Sequence, residues 1–451
     1  MGEFPETGSD GDARVVKITP ERRLYILGAV LLVALTICSH YFADRGGRGF
    51  MASLTVAGGA YLLAIREFFR ARDTAGALSH RVVIVGLVLA AAWHMAFLRL
   101  PAGADDDVHR YVWDGRLQRL GYNPYLVVPS DPAMRGLHTP ETRNLNNPDL
   151  PSPYPPGAQV FFRAVTAIHE STFALKVAFV ACDLLIVLVL LDLLRCTRRE
   201  PHLVLAYAWN PLLAVEVAGS GHIDIVVALL LVVSVATLAR RWRTAAAVAL
   251  GLAIAVKFLP IVLVPLYWKR IRLRDAALAA AVFGLLYVPF LNHGHIVTGS
   301  LGTYVQTFRF NGPVFAALDQ LAPPQLLAGL AVVAGLVTAA WIRSRTPDWS
   351  GEIFAWPMAA CLFCAPAVFP WYLLSLLPFL TSVSTMLIIV WTVSIIPVYV
   401  QWHLRTLGRP WGPLPGWVML LEYGWVAIAA TVIVWRRRNR REALTYPDRR
   451  V

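Results

Sequence analysis

The chain has 451 residues, of which 57% are apolar and 15% charged, with a formal net charge of +13 and a mean hydropathy of +0.56. A soluble chain usually carries about 25% charged residues, so this composition excludes a soluble enzyme, a disordered chain and a disulfide-stapled secreted fold. Five cysteines are too few to staple 451 residues, and Cys361-x-x-Cys364 lies inside an apolar run with no second pair or histidine near it, which reads as buried and inert.

Residues 1–23 are polar and charged, so the first apolar run, 24–42, has no signal-peptide layout and is expected to stay as an anchor. A membrane-spanning helix needs roughly 20 apolar residues. Further runs follow at 50–67, 81–99, 172–194, 202–219, 222–239, 274–291, 325–343, 354–369, 371–383, 385–401 and 417–435. The expected fold is an all-α polytopic membrane bundle of about 12 crossings. Lys and Arg collect in cytoplasmic loops, and 27 of the 41 basic residues fall on one side if the N-terminus is cytoplasmic and each run crosses once. Residues 1–23 and the arginine tail 436–451 are then cytoplasmic, whereas 100–171 and 292–324 lie outside. Topology and anionic lipid account for the positive charge without nucleic acid.

One run breaks the alternation. Residues 244–268 have a basic cluster at each end and contain Lys257, Pro260 and Pro265. Proline removes a backbone donor and bends a helix. The run is therefore expected to be a broken re-entrant hairpin, with Lys257 near its tip and a phosphate or Glu216 as its partner. Backbone of that kind is tolerated at membrane depth only when it is buried in protein or lines a wet cavity. No internal repeat is visible, which counts against a transporter built from inverted repeats.

The loop 100–156 carries seven acidic and five basic residues in a strongly basic chain. It opens on Asp105-Asp106-Asp107-Val-His-Arg-Tyr-Val-Trp-Asp-Gly115. As a helix, this stretch puts Asp107, Arg110, Tyr111 and Asp114 on one face. Adjacent carboxylates repel one another, so they either complement a helix N-terminus in water or serve a cation, a substrate or a proton. Gly121-Tyr-Asn-Pro-Tyr125 reads as a turn that brings two tyrosines together, and Pro151-Ser-Pro-Tyr-Pro-Pro156 is stiff and aromatic, leading to Gln159. Tyr154 and Gln159 offer a ring face and an amide, the usual equipment for holding a sugar, and the alternative reading of Tyr154-Pro155-Pro156 is a rigid entry into the next helix.

These motifs, Asp-Asp-x-His-Arg-Tyr-x-Trp-Asp-Gly, Gly-x-Asn-Pro-Tyr and Tyr-Pro-Pro-x-x-Gln, resemble the first external loop of bacterial GT-C glycosyltransferases. The likeness continues through Trp209-Asn-Pro211, Gly219-Ser-Gly-His-Ile-Asp224, Lys257-Phe-Leu-Pro260, Phe308-Arg-Phe-Asn-Gly312 and Pro370-Trp-Tyr372, and covers roughly residues 80–380. In layout it is similar to the mannosyltransferase of glycosylphosphatidylinositol synthesis. One departure is Phe369, where relatives often have histidine.

The resemblance implies a GT-C-like bundle with a large catalytic first outer loop. It also implies inverting transfer of a hexose, mannose before others, from a polyprenyl-phosphate donor to a glycolipid or glycan acceptor at the extracytoplasmic face of the plasma membrane. A hydroxyl needs a positioned carboxylate to take its proton, a role assigned to Asp107 with Asp106 as its rival. The leaving phosphate needs cations, and the candidates are His109, Arg110, Lys257 and Arg309. Asn311 belongs to the same motif as Arg309, and Asp114 to the helix face of Asp107. His222 and Asp224 either wall the sugar pocket or, for Asp224, cap a helix. Trp371 and Tyr372 either pack the lipid donor or sit in an aromatic belt. No cofactor is expected and no cluster has metal-ligand spacing, with Asp105 to Asp107 the one place for a divalent ion. The rivals from other classes are a transporter or flippase of lipid-linked sugars and a non-catalytic membrane scaffold.

Overall fold

The computed structural model describes residues 19–73, 78–103, 106–346, 350–412 and 414–445. The expectations for residues 1–18, for Asp105 and for 446–451 lie outside the described residues. Within them the chain is helical, with only isolated β-bridges such as Phe310 to Ala367.

The helices are α1 (Pro20–His40), α2 (Arg48–Asp73), α3 (His80–Leu98), α4 (Asp107–Arg119), α5 (Pro156–Ile168) and α6 (Thr172–Cys196). They continue with α7 (Val204–Ala208), α8 (Asp224–Ala239), α9 (Arg243–Val256), α10 (Leu273–Tyr287), α11 (Leu301–Thr307) and α12 (Pro313–Leu318). The last five are α13 (Pro324–Arg345), α14 (Ala355–Cys364), α15 (Met386–Ser394), α16 (Val400–Thr406) and α17 (Gly416–Thr445). Among the described residues eight stretches are long and apolar enough to cross a membrane, or nine if a bent pair is one span. The chain is a multi-pass membrane protein.

The count of about 12 unbroken crossings is not reached, and the interruptions have causes. The run 202–219 is split at Asn210-Pro211 into α7 and the π-turn Leu213–Gly219. The run 371–383 contains Pro378 and follows Pro370, and folds as successive 3₁₀ turns, Pro370–Ser375 and Leu377–Phe379. Proline cannot donate the bond that would continue an α-helix.

Two breaks shape the interior of the bundle. The π-turn Leu213–Gly219 and α8 meet at 114° across residues 220–223. Gly221 turns this corner at φ +77°, a conformation that disfavours side chains, and a Cβ there would lie 2.9 Å from the Lys176 side chain. The second break is at Lys257, extended at φ −154°, ψ 142°, between α9 and the 3₁₀ stretch Leu259–Tyr267 that carries Pro260 and Pro265. The 14 residues of α9 lead in and nine lead out.

The two ends of this broken run meet. Thr244 at the start of α9 donates from Oγ1 to Asp275 Oδ1 at the start of α10, at 2.6 Å. Asp275 Oδ2 also caps the backbone N–H of Arg272, and Arg343 near the end of α13 bonds Trp268 O at 3.1 Å. A run whose ends are tied together returns to where it began. Reporter domains inserted after Arg243 and after Arg274 are therefore expected on the same side of the membrane. Reporters on opposite sides would contradict the hairpin.

Candidate active site

The first turn of α4 enters a cavity of about 900 Å³. Asp106 precedes the helix and Asp107 opens it, where a carboxylate complements the helix dipole. The two adjacent carboxylates have different surroundings. Asp106 is buried, with Oδ1 2.7 Å from Arg45 Nη1 and Oδ2 accepting from Gly103 N at 2.6 Å. Arg45 also donates to Ser220 Oγ at 2.7 Å, which ties the α1–α2 loop to the corner before α8. Asp107 is more open: Oδ1 accepts from Asn146 Nδ2, and Oδ2 lies 3.7 Å from His222 Nδ1. Burial pushes the Asp107 carboxyl up, but His222, Asn146 and the nearby Lys257 outweigh it and hold the group below its ordinary value. It is a carboxylate across the neutral range.

His222 is buried in the corner 220–223, with Nε2 3.0 Å from Glu216 Oε2. Its ring stacks on Trp371 with centroids 4.0 Å apart, and Trp371 stacks on Phe369 at 4.5 Å. Phe369 lies 4.3 Å from Phe310, which in turn stacks on Trp411. The aromatic rings thus form one continuous wall leading away from the carboxylates. Phe369, where relatives often have histidine, is an integral plate of this wall.

Lys257 meets Asp224, with Nζ 2.6 and 2.7 Å from the two carboxylate oxygens and 4.2 Å from the Tyr372 ring centre. Asp224 therefore neutralises the lysine across the two helix breaks, and it opens α8 rather than capping it, the cap position being Ile223. The expected bland partner, Glu216, instead serves His222 and receives the hydroxyl of Tyr399.

Of the residues expected at the site, Asp106, Asp107, Tyr154, His222, Lys257, Arg309, Asn311, Trp371 and Tyr372 line the cavity. Asp224, paired with Lys257, is not a lining residue, and four others are placed elsewhere because their polar groups are used within the loop. His109 spans the carbonyls of Glu141 and Gly103. Arg110 bonds Asp114 and the carbonyls of Asn147 and Leu150. Asp114 also takes Ser152 and Gln159, and Gln159 accepts from Gln118. These groups fold the loop rather than face the cavity. The two tyrosines of Gly121–Tyr125 do not come together: Tyr122 is exposed, while Tyr125 is buried and donates to Tyr154 O.

Arg309 is partly neutralised by Asp319 at 3.3 Å and lies over the Phe315 ring. Asn311, at φ +60°, donates to Glu422 Oε2 at 2.7 Å, and Trp391 donates to the other oxygen at 2.6 Å. Sequence reasoning missed Arg45, Asn146 and Glu422, and gave Glu216 the wrong partner. Glu422 had a signal, being an acidic residue inside an apolar run. Among the described residues no group of three or more His, Cys, Asp or Glu is arranged to hold a metal ion.

Residues 26–270 match the sequence family described as alpha-(1->6)-mannopyranosyltransferase, N-terminal domain. The chain belongs to this mannopyranosyltransferase family. The family match includes Asp107, His222, Asp224 and Lys257, and stops before Arg309, Asn311 and Trp371. No curated protein matches the chain. Among solved structures, ArnT from Cupriavidus metallidurans bound to undecaprenyl phosphate is similar at 17% identity and a TM-score of 0.44, over 79% of this chain and 64% of that one. The chain thus spans less than two thirds of the length of that structure.

Removing one member of a buried pair leaves an uncompensated charge, at a cost on the order of 3 kcal/mol. Lys257→Met is expected to lower the thermal midpoint of the purified protein, and the double variant Lys257→Met with Asp224→Asn to regain most of that loss. A double variant no more stable than the single would show that the pair does not hold the two breaks together.

Proposed function

We propose that the chain transfers mannose from a polyprenyl-phosphate donor to a hydroxyl of a glycolipid or glycan acceptor, with inversion, at the extracytoplasmic face. The observation that carries this reading is that Asp107 and Lys257 line one cavity, Asp107 with Oδ1 held by Asn146 and Oδ2 facing His222 at 3.7 Å, Lys257 at the break of a membrane-buried run. The acceptor hydroxyl gives its proton to Asp107 Oδ2 as its oxygen forms the bond to the anomeric carbon. The bond from that carbon to the phosphate oxygen breaks, and its electron pair stays on the leaving polyprenyl phosphate. The proton then leaves with the phosphate or to water.

Asp107 serves as the base rather than Asp106, whose oxygens are taken by Arg45 and Gly103 N. In this reading Lys257 meets the phosphate, its ammonium shared between Asp224 and the incoming anion, and Arg309, which lines the same cavity, is a second cation for the donor. Tyr154 and Asn311 border the sugar. The basic clusters on the opposite side of the spans support an outer active site. The rival reading, a transporter of lipid-linked sugars, needs no carboxylate with one oxygen left open, and family membership gives it no support.

Replacing Asp107 by Asn keeps the shape and removes proton acceptance, and is expected to lower turnover on the order of 10²–10⁴-fold. Protein level and donor binding should stay near those of the unaltered chain. Asp106→Asn is expected to act through disorder of the α4 entry, with lowered stability as well as rate. Near-normal turnover in Asp107→Asn, measured with labelled donor in membranes, would overturn the assignment.

A further inference from the structure

His222 stands beside the base with Glu216 behind it, and neither takes part in the transfer step. His222 Nε2 is 3.0 Å from Glu216 Oε2 and Nδ1 is 3.7 Å from Asp107 Oδ2, and among the described residues neither Nδ1 nor Glu216 Oε2 has a hydrogen-bond partner, so both are ion-pair contacts. A carboxylate oxygen faces each ring nitrogen, so the ring is favoured in its doubly protonated, cationic form. The ring cannot swing away, because Trp371 stacks on its face at an interplanar angle of 8°. Glu216 in turn is held by the Tyr399 hydroxyl.

We propose that His222, anchored by Glu216, is the positioning residue of the base: as a cation between two carboxylates it aims Asp107 Oδ2 into the cavity and keeps it ionised. The 3.7 Å separation is too long for a hydrogen bond and short enough for an ion pair. Oδ2 therefore remains free to receive the acceptor's proton, while Oδ1 is fixed by Asn146. The inference rests on the reading of Asp107 as the base. The other groups facing this histidine are consistent with it. Asp224 across the break is matched by Lys257, and Arg45 is paired with Asp106 and also acts on Glu216. Tyr399 donates to Glu216 as a neutral phenol.

The test uses the full chain in lipid, with synthetic polyprenyl-phosphate mannose as donor and a short α-mannoside as acceptor, and follows rate against pH. His222→Gln removes the cation, so Asp107 gains protons more readily. The acid limb of kcat is expected to move up by about one pH unit or more, with kcat down about tenfold or more and the KM for donor changed little. Glu216→Gln leaves His222 in place without its anchor. Its profile is expected to gain a falling limb near pH ~6.5, where an ordinary histidine loses its proton, over a range where the unaltered chain is flat. In the double variant the loss should not exceed that of His222→Gln, because the two residues act as one unit.

An acid limb unmoved in His222→Gln, or multiplying losses in the double variant, would overturn the inference. If His222→Gln fails to fold, a Glu216→Gln profile that stays flat near neutrality overturns it alone. The reading of the reaction fails separately, if the unaltered chain transfers nothing from this donor or if Asp107→Asn keeps full activity.

Discussion

A charge buried in a membrane bundle must meet an opposite charge or water, and the organisation of this protein around its cavity depends on that constraint. Lys257 meets it through Asp224, at 2.6 and 2.7 Å, and each residue borders a helix break. Without the break at 257 the lysine would be carried along a helix face. Without the corner at 220–223, Asp224 would not turn to receive it. The two breaks thus come together because their charges do, and the cavity forms where the packing of regular helices is interrupted. Close approach of glycine backbone helps: a Cβ at Gly157, at the start of α5, would lie 2.8 Å from the backbone of Ala255, two residues before the lysine.

Around this pair the polar groups divide into those that build the loop and those that face the cavity. Arg110, Asp114, Ser152 and Gln159 form a buried network that holds the segment 147–159 against α4. Arg45 fixes Asp106 and so sets the direction in which α4 begins. What remains open is Asp107, with His222 and Lys257 near it. A low-dielectric cavity makes each of these charges count for more than it would in water, which suits a reaction that separates a proton from one partner and gathers charge on another.

The bundle, the membrane class and the special character of 244–268 were legible in the sequence, because apolar run length, basic clusters and two prolines are local signals. Asp107, Lys257 and the aromatic pair Trp371 and Tyr372 were legible through motif likeness, and they do line the cavity. Side-chain direction was not. His109 and Arg110 sit in the same motif as Asp107, but a helix turns by about 100° per residue and carries them toward the loop's own carbonyls. Arg45 was invisible for a different reason: it lies far in sequence from Asp106, which it serves, and nothing in the intervening sequence marks the contact. Glu216 was visible as a buried carboxylate but was given Lys257 as its partner rather than His222. Unbroken crossings were over-read where prolines and an Asn-Pro step turn apolar runs into short turns.

The most direct test of the account is a product analysis of the purified chain in lipid, given polyprenyl-phosphate mannose labelled in the sugar and a panel of mannoside acceptors. The account predicts equimolar mannosylated acceptor and free polyprenyl phosphate, with the new linkage opposite in anomeric configuration to the donor. Recovery of the donor intact, or its relocation across the bilayer with the sugar–phosphate bond unbroken, would contradict it.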